Sequence, residues 1–143
     1  MRLSYNVLKQ YVDLHDITPK MLADKITACG LEVEGLEEMA YATNLVVGYV
    51  EECVDHPNSD HLHICQVNVG TDVRQIVCGA PNVAKGQKVI VALPGCKLRG
   101  GDIKEGVVRG EESKGMICSL SELGVDPKQL TEQQLAGIEV LGD

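Results

Sequence analysis

Four side chains with metal-binding chemistry crowd one short stretch of the chain: His56, His61, His63 and Cys65. On a strand, His61, His63 and Cys65 would share a face, because alternate residues point the same way. A structural zinc centre needs four donors converging from two turns, and no second knuckle is present in the sequence. The histidines are therefore read as flanking a surface loop, and no metal site is expected. Ser113 and Ser119 lie near glycine-rich turns but lack a G-x-S-x-G elbow or an indicated His–Asp pair. The run Pro94-Gly95-Cys96-Lys97-Leu98-Arg99-Gly100-Gly101 has neither phosphate-cradle spacing known from nucleotide-binding loops. Glu51-Glu52 and Glu111-Glu112 are adjacent, so on strands each pair would split between opposite faces. No catalytic residue and no cofactor held by this chain are expected.

The cations are more informative. The chain carries a formal charge of −8, which opposes phosphate binding. Its distribution is uneven. Between Arg74 and Gly110 there are seven basic residues (Arg74, Lys85, Lys88, Lys97, Arg99, Lys104, Arg109) against Asp102 and Glu105, a local net charge of +5. Residues 1–43 hold four basic and seven acidic groups. A cationic face on an acidic protein suits backbone contact with nucleic acid; an ordinary solvated face gives the same string.

The elements that must carry these residues are mostly short strands. The chain has no Phe, no Trp and four Tyr, so its core must come from Val, Ile, Leu, Met, Ala and Cys. Without an export signal, the six cysteines are read as buried small hydrophobes rather than a disulfide framework. Strands are expected over Leu45–Val54, with Gly48 marking a bulge or bend, and over Leu62–Val69, Val73–Cys78 and Lys88–Leu93. Val107–Arg109 and Met116–Cys118 should flank a polar turn at Gly110–Gly115. Such a series suggests a mainly β fold, a Greek-key barrel of the OB type. An SH3-like barrel or a small sandwich would produce nearly the same pattern.

Ahead of the barrel, Ser4–Val12 reads as a short helix. Thr18-Pro19 caps a second helix with Leu22, Ile26 and Cys29 on one face and Gly30 at its left-handed end. Leu31–Glu34 alternates like a strand. Ser119–Glu122 and Thr131–Gln134 fit capping boxes. The expected organisation is a short α+β segment at 1–39, the barrel at 40–125 and an extension at 126–143. The last apolar residues suggest a strand of a longer protein. No apolar run reaches the roughly 20 residues that cross a bilayer, and a cytoplasmic location is expected.

Four phrases in order go beyond pattern: His56-Pro57-Asn58-Ser59-Asp60-His61-Leu62, Val77-Cys78-Gly79-Ala80-Pro81-Asn82-Val83, Lys97-Leu98-Arg99-Gly100-Gly101-Asp102-Ile103, and Arg109-Gly110-Glu111-Glu112-Ser113-Lys114-Gly115-Met116-Ile117-Cys118-Ser119. Together they resemble the tRNA-binding OB domain of synthetase-associated proteins. The opening Met1-Arg2-Leu3-Ser4-Tyr5-Asn6-Val7-Leu8-Lys9-Gln10-Tyr11-Val12-Asp13, with Gly30-Leu31-Glu32-Val33-Glu34, is similar to the start of the bacterial phenylalanyl-tRNA synthetase β subunit.

That resemblance implies an α2β2 ligase using ATP and Mg²⁺, with aminoacylation in the α subunit and tRNA, α subunit and further β-subunit domains as partners. It implies that residues 1–39 are half of a discontinuous domain. The expected role of this chain is accessory tRNA binding. The residues expected to contact RNA are Asn58, Ser59 and His61, then Lys97 and Arg99, then Arg109, Ser113 and Lys114. Hydroxyl and amide groups would donate to phosphate or sugar oxygens while the cations supply attraction. In this family a Lys is usual where the chain has His61. The alternative role is a structural domain that organises the synthetase with little RNA contact.

Overall fold

The structure, a computed structural model, describes residues 1–37 and 42–142. The chain divides into two compact units, Met1–Glu38 and Met39–Asp143. The expected boundary at 39/40 lies outside the described residues.

In the first unit, Ser4 is extended but its hydroxyl makes no capping bond, and helix α1 covers only Tyr5–Leu8. The expected helix to Val12 is thus a single turn; Gln10 and Tyr11 bond back three residues rather than four. Helix α2, Pro19–Ala28, begins as its sequence dictates, with Thr18 Oγ1 accepting from the Met21 amide at 3.2 Å. It ends at Gly30, whose φ of +100° permits paired bonds from Gly30 N to Thr27 O and from Leu31 N to Ile26 O. Leu31–Glu34 is not a strand, since no neighbour pairs with it among the described residues. Leu14 is the one buried hydrophobic residue described in this unit.

The second unit is a mainly β, nearly closed antiparallel barrel. Its strands are β1 (Leu45–Asp55), β2 (His63–Asn68), β3 (Val73–Cys78) and β4 (Lys88–Ala92), followed by four short strands in two hairpins. Those are β5 (Lys97–Leu98) with β6 (Gly101–Asp102), and β7 (Gly106–Val108) with β8 (Glu111–Ser113). Then come β9 (Met116–Ile117), the one-turn helix α3 (Glu132–Leu135) and β10 (Val140–Leu141).

Strand β1 serves two neighbours. Its first half pairs with β4 and its second with β2, and the register shifts between Val50 and Glu52. A bulge there adds local twist, which lets one strand turn the barrel's corner. The expectation of a bend at Gly48 is corrected by this. Gly48 is glycine because the core leaves no room: an added Cβ would sit 2.6 Å from Val67 Cγ1 and 2.7 Å from Val91 Cγ2. Strand β9 pairs with β4, and the Lys114 amide donates to Gln75 O on β3 at 2.9 Å. The ladders therefore run β3–β2–β1–β4–β9, and the Lys114 amide, just ahead of β9, brings the chain back to β3 to nearly close an OB-like barrel.

Alternation sorts the apolar residues into two cores. Val50, Cys65, Val67, Ile76, Val89 and Val91 fill the barrel, all fully buried. Ala92, one residue past Val91, faces the other way. It joins Cys96, Leu98, Cys118 and Leu123 in a second cluster on the barrel's outer surface. The β5–β6 hairpin and the Ser119–Gly124 turn cover that cluster, the turn held by the expected reciprocal bonds between Ser119 and Glu122. At the C-terminal end, Thr131 and Gln134 form the second capping box. Asn82 then clamps Ile138 by both backbone groups, at 2.9 and 3.0 Å, and β10 adds to β4.

Candidate nucleic-acid interface

The loop after β1 is organised by a buried histidine. His56 is 3% exposed; its Nδ1 accepts from the Asn58 amide at 3.0 Å, and its Nε2 lies 3.2 Å from Val108 O. The first bond requires an unprotonated Nδ1, so the ring is the Nε2–H tautomer and donates to Val108. His56 thus ties the β7–β8 hairpin to its own loop. Arg109 makes a second tie, its guanidinium donating to Asn58 O at 3.3 Å.

Ser59 shapes the same loop. Its hydroxyl oxygen accepts from the amides of Leu62 and His61, at 3.2 and 3.4 Å. His61 Nδ1 lies 2.9 Å from the Asp60 carboxylate. The His61 hydrogen bond, above all, holds the Asp60 carboxyl below its ordinary range, and the Arg109 charge adds to that. The structure thus brings Asn58, Ser59, His61 and Arg109 together.

Arg99 and Arg109 both sit at the tips of short hairpins, in turns of different backbone conformation. Leu98 pairs with Gly101 and Val108 pairs with Glu111, so Arg99-Gly100 and Arg109-Gly110 are both two-residue hairpin tips. Arg109 and Gly110 have φ of 50° and 93°, the paired left-handed positions of a type I′ turn, whose twist matches the flanking strands. Both arginines are exposed, and among the described residues neither they nor Lys97 enters an ion pair. The two tips are not neighbours along β1. The Lys97 amide is held by Thr43 Oγ1, just before β1 begins, whereas the Arg109 tip meets the loop after β1 ends.

Two of the expected contact residues have other work. Ser113 is 8% exposed; its Oγ accepts from the Val77 amide and donates to Gly115 O, both at 3.1 Å. These two bonds fasten the barrel seam. Ser113→Ala is expected to leave the Val77 amide and the Gly115 carbonyl unpaired and to cost about 1–3 kcal/mol, measured by urea unfolding, with no direct loss of an RNA contact. Lys114 is exposed but lies 3.8 Å from Glu112, and its amide closes the barrel.

The histidine and cysteine side chains do not converge. His63 Nε2 is 3.5 Å from Asp55, and its buried Nδ1 has no hydrogen-bond partner. Among the described residues no three His, Cys, Asp or Glu side chains are grouped to hold a metal. Tyr49 is 47% exposed on the outer face of β1 and remains available for base stacking. The roles of His56 and Asn82 were missed by the sequence reading. Their partners, Val108 and Ile138, lie more than fifty residues downstream, and no local pattern announces either contact.

The phenylalanine–tRNA ligase beta subunit of Oceanobacillus iheyensis is 55% identical over 142 residues, which is 98% of this chain and 18% of that protein. The corresponding subunit of Streptococcus pneumoniae is 50% identical over 143 residues, 99% of this chain and 18% of that protein. The chain thus spans about a fifth of the length of these relatives. The crystal structure of a MetRS related protein from Pyrococcus horikoshii aligns with a TM-score of 0.46 at 22% identity, over 68% of this chain and 76% of that one. A family described as putative tRNA binding domain matches residues 45–138. That stretch runs from the first residue of β1 to the buried Ile138, through both arginine-tipped hairpins, and the chain belongs to the putative tRNA binding domain family.

Proposed function

We propose that the barrel is an accessory tRNA-binding module of a phenylalanine–tRNA ligase β subunit, contacting the RNA backbone rather than reading bases. The observation that carries this reading is the pair of exposed arginines at two-residue hairpin tips within a tRNA-binding family match. Arg99 and Lys97 form one cationic site, and Arg109 with Asn58, Ser59 and His61 forms the other. Lys114 is a further exposed cation, on the barrel seam between β8 and β9. Phosphate contacts of this kind position RNA without specifying sequence. Aminoacylation, with its ATP and Mg²⁺, would take place in the α subunit of an α2β2 cytoplasmic complex, and no catalytic role is assigned to these residues. No described helix is long and apolar enough to cross a membrane.

A second reading has its own support. His61 and Lys114 already face Asp60 and Glu112, and the chain is acidic overall at −8. A barrel used chiefly for packing against other synthetase domains would look like this too. Titration of tRNA at about 50 and 200 mM salt separates the readings. Binding that weakens steeply with salt is expected, because displaced counterions are the driving term. Absence of measurable binding at the lower salt would favour the packing role.

A further inference from the structure

Two thiols face each other at the base of the His56–His61 loop. Cys53 on β1 and Cys65 on β2 are directly opposed in the ladder, with their sulfurs 3.7 Å apart. Both are free; Cys65 is fully buried and Cys53 partly exposed. Directly opposed residues in an antiparallel pair have Cα atoms about 4.5–5.5 Å apart, inside the span that a disulfide bridges. The sulfurs need approach by only about 1.7 Å from their 3.7 Å separation to reach bonding distance. Side-chain rotation can supply that without shifting the strand register.

We propose that Cys53 and Cys65 are a modification site for hydroperoxides, closing to a reversible cross-strand disulfide. Exposure sets the order of events. The Cys53 thiolate attacks one oxygen of hydrogen peroxide; an S–O bond forms, the O–O bond breaks, and the departing hydroxide takes a proton and leaves as water. The Cys65 sulfur then attacks the Cys53 sulfenic sulfur. The S–S bond forms, the S–O bond breaks, and a second water leaves carrying the Cys65 thiol proton. The two thiols lose two electrons and two protons, and the peroxide is reduced to two waters. Burial, with the neighbouring Cys53 thiol adding to it, pushes the Cys65 thiol up. That leaves Cys65 inert to peroxide until its neighbour becomes electrophilic. A thiol reductant reverses the bond by exchange.

The linked ring would run from Cys53 to Cys65 and enclose His56, Asn58, Ser59 and His61. Oxidation would therefore fasten the base of the loop that the functional reading places against RNA. The chemistry itself does not depend on that reading.

The test uses the full chain carrying Cys29→Ser, which removes the exposed thiol as a route to intermolecular disulfides. Hydrogen peroxide is added, free thiols are alkylated, and intact mass and non-reducing peptide maps are recorded. The expected result is loss of two hydrogen masses, loss of two of the five remaining thiols, and a map joining Cys53 to Cys65, all restored by dithiothreitol. In Cys65→Ala, Cys53 should instead persist as a sulfenic acid trapped by dimedone. If that variant fails to fold, the map of the Cys29→Ser chain decides alone. Oxygen addition at Cys53 without a link, a link between other cysteines, or an unchanged thiol count at peroxide levels that oxidise Cys29 in the parent chain would each overturn the proposal.

Discussion

Gly48→Ala is expected to destabilise the barrel by about 3 kcal/mol, the upper part of the range for overpacking a tight core. The new methyl group would meet Val67 Cγ1 at 2.6 Å and Val91 Cγ2 at 2.7 Å, both from fully buried residues. Neither valine can swing aside easily, because branching at Cβ restricts χ1 and both lie in the barrel core. The backbone of β1 would have to move instead, and it is hydrogen-bonded to β2 and β4 on either side. Urea unfolding followed by circular dichroism reads the effect as a lower midpoint with an unchanged slope. Gly100→Ala is the control: nothing lies within 4 Å of its added Cβ, so its midpoint should hardly move. Relief of strain gives an internal check, since Gly48→Ala should cost less in a Val67→Ala background than alone. A loss below about 0.5 kcal/mol for Gly48→Ala, in the range of ordinary surface changes, would mean that the core is not packed as described.

The legible parts of this fold are those whose cause is local. Thr18-Pro19 and Gly30 bound α2 because a cap, a ring-fixed φ and a left-handed residue act within one turn of chain. Val73–Cys78 is a strand at the expected residues. The errors fall where the cause is a distant partner. Gly48 was a sound signal of something special in β1, but its cause is close approach by Val67 and Val91, and the bulge lies two to four residues further on. Glu111–Ser113 looked like a turn because Glu-Glu-Ser shows no apolar alternation, yet it forms a strand through pairing with Gly106–Val108. Leu31–Glu34 alternates and still forms no strand, for want of a ladder partner among the described residues. The site divides the same way. Arg99 and Arg109 could be singled out from sequence as cations beside glycines, but the hairpin that has Arg109 at its tip could not, because it depends on the pairing of Val108 with Glu111. Nor could burial of Ser113 behind the seam, because a hydroxyl facing Val77 and one facing solvent share a sequence.

Arg99→Glu/Arg109→Glu is expected to reduce tRNA affinity at least tenfold at about 50 mM salt and to flatten its salt dependence. Each phosphate contact contributes nearly one power of salt concentration, so two contacts account for about a tenfold affinity change between about 50 and 200 mM. Removing both should lower the logarithmic slope by about two. The reversed charges add repulsion at the tips, where the wild-type side chains are exposed. A control must carry the same charge, because the chain is already at −8. Lys20→Glu/Lys128→Glu changes the net charge equally at exposed positions outside the basic stretch, and its slope should stay close to that of the wild type. Arg109 also bonds Asn58 O, so loss of binding could reflect a loosened loop. Arg109→Asn addresses that alternative: asparagine suits the left-handed φ of 50° at this position, so the hairpin should hold its stability while the cation is gone. Weakened binding in Arg109→Asn with unchanged unfolding assigns the effect to charge at the tip. Equal losses in the two double variants would show that overall charge, not the hairpin tips, governs affinity, and the barrel would then be better described as a packing module of its synthetase.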